Sequence, residues 1–238
     1  MIQIRAKGLN MSGQTLTYPS TARPPLASLQ PCFALIRENR RAYLALNLLF
    51  FGLVFLGFFV SALNPRVQEA LLASLQAAFS HGLLAYVAAL YRSGNVPLAA
   101  LVTFLVNSVL GAFVCITLPS FLIPFSGLAA GCYRAAIWGL SLSPTNPRLL
   151  LAMIPHSLTL LLEGEAYIVA MFGSYLWGKW LIRPASAGFR SGRDAYRAGL
   201  RANLQLYRLI LILLAAAALY EAIEVIGMIA LARLVTGR

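Results

Sequence analysis

Five long apolar segments set the strongest limit on what this chain can fold into. They cover residues 43–62, 98–118, 122–142, 149–182 and 205–231. A helix needs about 20 apolar residues to cross a bilayer core of about 30 Å, and these segments have that length or close to it. Only 11% of the 238 residues are charged and 60% are hydrophobic, which excludes an ordinary soluble domain. The sequence therefore predicts an all-α, polytopic membrane helix bundle.

The remaining regions indicate a single membrane domain that is preceded by a polar N-terminal segment. Residues 1–30 are rich in Ser, Thr and Pro, and we expect them to form a poorly ordered cytoplasmic N-terminus before a helical bundle at 31–238. Residues 31–42 mix apolar and basic positions, as is typical of a short interfacial helix. Residues 66–92 carry apolar side chains every three or four positions, which predicts an amphipathic interfacial or re-entrant helix on the outer face.

The distribution of basic residues predicts the orientation. Six Lys or Arg precede the first segment, and six more follow the fourth: Arg5, Lys7, Arg23, Arg37, Arg40 and Arg41, then Lys179, Arg183, Arg190, Arg193, Arg197 and Arg201. Five spans put both groups on the cytoplasmic side, as the positive-inside rule requires, with the N-terminus in and the C-terminus out. A sixth span would put the second group outside. The net charge of +12 is thus assigned to orientation and lipid contact, with no nucleic-acid partner.

Polar residues inside the apolar segments are the least expected feature. Four of the seven acidic residues fall there, although each buried charge costs about 2.5–3.5 kcal/mol on insertion scales. We predict an intramembrane polar network of Asn107, Arg134, His156, Glu163, Glu165, Glu221 and Glu224. His156 and Glu163 are seven residues apart and share a helix face, whereas Glu165 is turned about 200° from Glu163 and must have other neighbours.

Three interpretations of this network compete. The polar groups can satisfy one another inside the bundle, with Arg134 as an ion partner. They can form a proton or cation path, the usual use of intramembrane carboxylates. They can also form a metal site around His156, although no paired His or Cys supports it. The HExxH, GxSxG and P-loop motifs are absent and no nucleophile stands beside a base, so we expect neither an enzyme nor a cofactor.

Several short motifs suggest a family. In chain order they are the basic entry RENRRAYL, FLVNSVLG from Asn107 to Gly111, Pro119 followed by Gly127 and Gly131, Pro155-His156 followed by Glu163 and Gly173, and LYEAIEV around Glu221. Together these residues resemble the stage II sporulation protein M family of multi-pass membrane proteins. Ser157 stands here where that family usually has Gly.

The resemblance implies five spans, a bacterial cytoplasmic membrane and no catalytic activity. It also implies a scaffold or assembly subunit that holds envelope-remodelling or transporter- and ATPase-linked partners, or further copies of itself. The alternative is a transporter or channel-like protein that moves protons or cations through the intramembrane carboxylates. Close helix packing is expected at Gly111, Gly127, Gly131 and Gly173, since small residues let helix backbones approach.

Overall fold

A computed structural model describes residues 8–9, 15–16 and 29–236. Strands β1 (Gly8–Leu9) and β2 (Thr15–Leu16) pair antiparallel. Most of residues 1–30, which were predicted to be poorly ordered, lie outside the described residues. The rest is helical: α1 Gln30–Glu38, α2 Arg40–Leu63, α3 Pro65–Ala78, α4 Gly82–Ser93, α5 Val96–Leu105, a π-helical segment Val106–Thr117, α6 Leu118–Leu122, α7 Ser126–Ser141, α8 Pro147–Ile182, a 3-10 turn Ala185–Ala187 and α9 Gly192–Thr236.

Four helical stretches are long and apolar enough to cross a membrane: Arg40–Leu63, Val96–Leu122, Leu149–Ile182 and Gly192–Leu234. The chain is therefore a multi-pass membrane protein with an all-helical membrane region. The predicted segment 122–142 becomes α7, which has only 16 residues and a length of about 24 Å. Its helix begins late because the chain first turns at Phe125, whose backbone adopts the left-handed conformation at φ +68°.

Helix α7 packs closely against α2 through two glycines. A Cβ atom on Gly57 would lie 2.6 Å from the backbone of Gly139, so only glycine permits this approach. Beyond the crossing, the Ser61 hydroxyl donates to the carbonyl of Leu140 at 2.8 Å, and Ser143 donates to Phe58 at 3.2 Å. The C-terminal ends of α2 and α7 therefore lie together.

The second span is one continuous helix built from α5, the π-helical segment and α6. In a π-helix each N–H bonds five residues back, which widens the turn, and such segments are often found at functional sites. The Thr117 hydroxyl also bonds five residues back, to the carbonyl of Ala112 at 3.1 Å. The segment predicted to end at residue 118 continues to Leu122, and Pro119 lies at the start of α6, where the π-helix returns to an α-helix.

The amphipathic stretch 66–92 does not form the single predicted helix. It divides into α3 and α4, which are separated by an extended residue, His81, and by Gly82 at φ +61°. A positive φ is free of steric penalty only for glycine, and that explains why the chain turns here. The buried amide of Gln68 ties α3 to the bundle by donating to the carbonyls of Ser141 and Ser143 at 3.0 Å.

Helices α8 and α9 form the centre of the bundle. Residues 166–172 of α8 are almost completely buried, and Leu206, Ile210 and Leu214 of α9 pack in the same core. The predicted basic loop 183–204 is shorter than expected, because α9 already begins at Gly192. The Ser191 hydroxyl accepts from the N–H of Asp194 at 3.1 Å and so stabilises the start of this helix.

Candidate functional site

A cavity of about 510 Å³ lies among α4, the second span, α7, α8 and α9. Its walls include apolar side chains such as Val87 and Val225. Five of the seven residues predicted for the polar network line it: Asn107, Arg134, His156, Glu163 and Glu221. The shared face of His156 and Glu163, expected from their spacing, is therefore the face that meets this cavity.

Glu163 is the member of the network that is buried as a whole residue, with 7% of its surface exposed. The side-chain amide of Asn107 donates to Glu163 Oε1 at 2.5 Å, joining the π-helical segment to α8. A buried carboxyl without such a donor would lose the full free energy of its hydration. The Asn107–Glu163 contact therefore fixes how these two helices lie against each other.

A second polar contact joins α8 to α9. His156 Nδ1 lies 3.2 Å from Glu224 Oε1, which is hydrogen-bond distance. The hydroxyl of Thr159, three residues after His156, donates to the other oxygen of Glu224 at 3.1 Å. The neighbouring Tyr220 donates to the carbonyl of Pro155 at 3.1 Å. This end of α9 is thus held to α8 by three hydrogen bonds.

Glu165 points away from the cavity. The hydroxyl of Tyr43 on α2 donates to Glu165 Oε2 at 2.6 Å, whereas Glu163 faces Asn107. The two carboxylates of α8 consequently have different neighbours, as their angular separation predicted. Each one links α8 to a different span.

Arg134 does not form the expected ion pair. Within residues 29–236, no carboxylate oxygen comes within 4.0 Å of its guanidinium group. The guanidinium instead lies 4.2 Å from the ring centre of Tyr167 and 5.9 Å from that of Trp138, both cation–π distances. Arg134 therefore contributes positive charge to the cavity wall without neutralising one acid.

All four glycines predicted for packing meet another helix. A Cβ atom on Gly111 would lie 2.9 Å from the hydroxyl of Tyr167, and the others would collide with named groups on neighbouring helices. Those collisions are Gly127 with Ser174 and Ile116, Gly131 with Met171, and Gly173 with Asn203. The amide of Asn203 also donates to the carbonyl of Gly173 at 3.3 Å.

Several polar residues of the site were missed by sequence reasoning. Tyr91 and Thr103 share a 2.9 Å hydrogen bond in the cavity wall, and Tyr43 is the partner of Glu165. Thr159 could have been found, because it lies on the same helix face as His156. Tyr43 and Tyr91 could not, since they lie in other helices and reach the site only through tertiary packing.

The donor set does not resemble a metal centre. Among the described residues, no three His, Cys, Asp or Glu side chains come close enough together to hold a metal ion. The arrangement can bind through hydrogen bonds and charge, and it has groups that exchange protons. No family model, curated protein or solved structure matches this chain.

Proposed function

We propose that the protein is a non-enzymatic assembly subunit of a bacterial cytoplasmic membrane, a scaffold that holds membrane partners or further copies of itself. One observation carries the proposal. Glu163, Glu165 and Glu224 each hydrogen-bond to side chains of a different helix, respectively Asn107, Tyr43 and the His156–Thr159 pair. Three of the four intramembrane acids are thus used to join helices.

Such contacts suit a protein whose task is to keep one shape. Apolar helices in lipid gain little by burying apolar surface against each other, so hydrogen bonds and close packing specify how they associate. A fixed bundle presents a constant surface to its partners. The resemblance of several short motifs to the stage II sporulation protein M family, which is made of multi-pass proteins without known catalytic activity, supports the same proposal.

We further propose five crossings, with the N-terminus in the cytoplasm and the C-terminus outside. Helix α7 begins beside Ser174 near the end of α8, at the level where Phe172 meets Tyr43 at the start of α2. It ends beside Phe58, near the end of α2. A short helix that follows α2 from one end to the other is best explained by a crossing in the same direction.

A proton or cation path is the second candidate, and the cavity favours it. Glu163 and Glu221 both line this space together with His156. In the described residues Glu221 has no ion-pair partner, and Glu163 is bonded to a neutral amide. Ionisable groups around a space inside a membrane are the usual material of ion pathways.

Replacement of Glu163 distinguishes the two candidates. Glu163→Gln keeps the shape and much of the hydrogen-bonding capacity but removes the ionisable group, whereas Glu163→Ala also leaves a hole. Glu69→Gln is the matched control, because it makes the same chemical change on the exposed surface of α3. Each variant is purified in mild detergent with its co-purifying proteins and is also placed in liposomes for proton and cation flux measurements.

The scaffold predicts that Glu163→Gln and Glu69→Gln retain the same stoichiometric partner, or the same oligomer, as the wild type. It also predicts no flux from wild-type liposomes and a reduced yield of the complex for Glu163→Ala. A flux that is lost in Glu163→Gln but kept in Glu69→Gln, with unchanged folding, replaces the scaffold by the ion path. A wild-type protein that is monomeric, without partners and without flux contradicts both.

A further inference from the structure

A second cavity lies at the opposite end of the bundle, where α1 gives way to α2. It has a volume of about 450 Å³, and α1, α2 and the last turns of α8 form its walls. Four basic side chains and one acidic side chain line it: Arg37, Arg40, Arg41, Lys179 and Glu38. The cavity is therefore a basic site that the central network does not include.

In the part of the chain that the structure describes, none of the four cations of this basic site has an ion-pair partner. Within the described residues no carboxylate oxygen lies within 4.0 Å of them, Glu38 included. The site also contains the start of α2, where the side chain of Asn39 makes no capping bond and instead donates backwards to the carbonyl of Leu35 at 3.2 Å. The uncapped N–H groups of a helix start add to the positive potential.

An adjoining groove gives the site an apolar extension. This groove, also about 450 Å³, shares Tyr175 and Lys179 with the basic site and continues past Phe125, Ile182 and Arg183. Phe125 holds its left-handed backbone conformation at this edge, and its ring fills the space beside Gly178. Such backbone strain tends to persist at functional sites.

The position of the two cavities matches a membrane surface. The span Arg40–Leu63 begins beside this site, and the span Leu149–Ile182 ends there, three residues beyond Lys179. Basic pockets between helices at this depth are typical places for lipid head groups.

Helix α1, which forms one wall of the basic site, is held against α9, since the thiol of Cys32 donates to the carbonyl of Gln205 at 2.9 Å. Burial raises the pKa of the Cys32 thiol, which keeps it in the donating form.

We propose that the basic site binds the phosphate group of an anionic phospholipid, with one acyl chain lying along the adjoining groove. The guanidinium groups of Arg37, Arg40 and Arg41 supply donors for the phosphate oxygens, and the Lys179 ammonium adds a point charge. Lys179 lies 5.9 Å from the ring centre of Tyr175, at the junction of the two cavities. The glycerol backbone, which connects the head group to the acyl chains, would then lie beside Lys179.

The test uses the full-length protein in mild detergent, titrated with phosphatidylglycerol and with phosphatidylcholine of the same acyl chains. The bound lipid is counted by native mass spectrometry. The double variant Arg40→Gln/Lys179→Gln removes two charges from the site. The control Arg193→Gln/Arg197→Gln removes two charges from exposed positions of α9, outside both cavities. Inorganic phosphate and glycerol phosphate are added as competitors that have no acyl chain.

We expect phosphatidylcholine to bind at least fivefold more weakly than phosphatidylglycerol. The double variant in the basic site should weaken phosphatidylglycerol binding at least fivefold, since each basic residue contributes measurably to binding of anionic lipid. The control should change it less than twofold. A smaller loss in the site variant, an equal loss in the control, or equal binding of the two lipids overturns the proposal. Displacement of the lipid by inorganic phosphate or glycerol phosphate overturns the lipid assignment in favour of a soluble phosphate.

Discussion

His156 Nδ1 and Glu224 Oε1 lie 3.2 Å apart and join two helices across 68 residues of sequence. The Glu224 side chain is 4% exposed and that of His156 is 22% exposed, so the contact is shielded on the carboxylate side. Thr159 donates to the second oxygen of the same carboxylate. A carboxylate held from two sides by α8 fixes the rotation of α9 about its own axis, and with it the direction in which Glu221 faces.

A double-mutant cycle with His156→Gln and Glu224→Gln measures this contact. We expect the two changes to be non-additive by about 0.6 kcal/mol and at most about 1.7 kcal/mol, the mean and the maximum found for interhelical hydrogen bonds in a membrane protein. The free energy of unfolding of each variant is measured in mixed micelles by raising the fraction of a denaturing detergent. A parallel cycle of His81→Gln with Glu224→Gln should be additive, because His81 is exposed in the break between α3 and α4. Equal coupling in both cycles would exclude a specific contact.

The periodicity of single helices could be read from the sequence, and it gave much of the site. The spacing of His156 and Glu163 put them on one face, and the turn to Glu165 put that residue on another, as the structure has them. Periodicity says nothing about which residue of another helix comes to the same level. The Asn107–Glu163 contact was therefore beyond a sequence argument, although both residues were predicted for the network.

The fold was predictable where apolar length decides it and not where a local conformation does. The break at Gly82 depends on one positive φ, and the π-helical segment has no marker in its sequence, which reads as an ordinary apolar helix. The late start of α7 depends on Phe125, a residue type that rarely adopts its left-handed conformation. At Phe125 the packing of the ring beside Gly178 outweighs local preference, whereas the break at Gly82 uses a conformation that glycine adopts freely.

The Tyr43–Glu165 bond should contribute to the stability of the bundle. Tyr43→Phe removes the hydroxyl that donates at 2.6 Å and leaves the carboxyl oxygen without that partner. We expect a loss of about 1 kcal/mol, seen as a lower Tm in mild detergent. Tyr133→Phe is the matched control, since the Tyr133 side chain is 70% exposed. Similar Tm values for the two variants would mean that the Tyr43 hydroxyl bond adds nothing to stability.

Two glycines of α2 should respond in opposite directions to the same substitution. Gly57→Ala places a Cβ atom 2.6 Å from the backbone of Gly139, which cannot move aside, so we expect a loss of about 1–3 kcal/mol. Gly52→Ala meets nothing within 4 Å and should gain about 0.5–1 kcal/mol from the better helix propensity of alanine. The Tm of each variant is compared with that of the wild type in the same detergent. A stabilised Gly57→Ala variant would contradict the close crossing of α2 and α7.

The number of crossings can be tested at the start of α9. If α7 crosses the membrane, the connection between α8 and α9 lies in the cytoplasm with the N-terminus; if it does not, that connection lies outside. Gly192 is suited to a cysteine probe, because a Cβ atom there meets nothing within 4 Å. In a background without Cys32, Cys115 and Cys132, we expect a membrane-impermeant thiol reagent to spare Gly192→Cys in intact cells and to modify it after lysis.

Ser93→Cys, at the end of α4, should be modified in intact cells and serves as the positive control. Labelling of both positions in intact cells would mean that α7 does not cross, leaving four spans and placing the second group of basic residues outside.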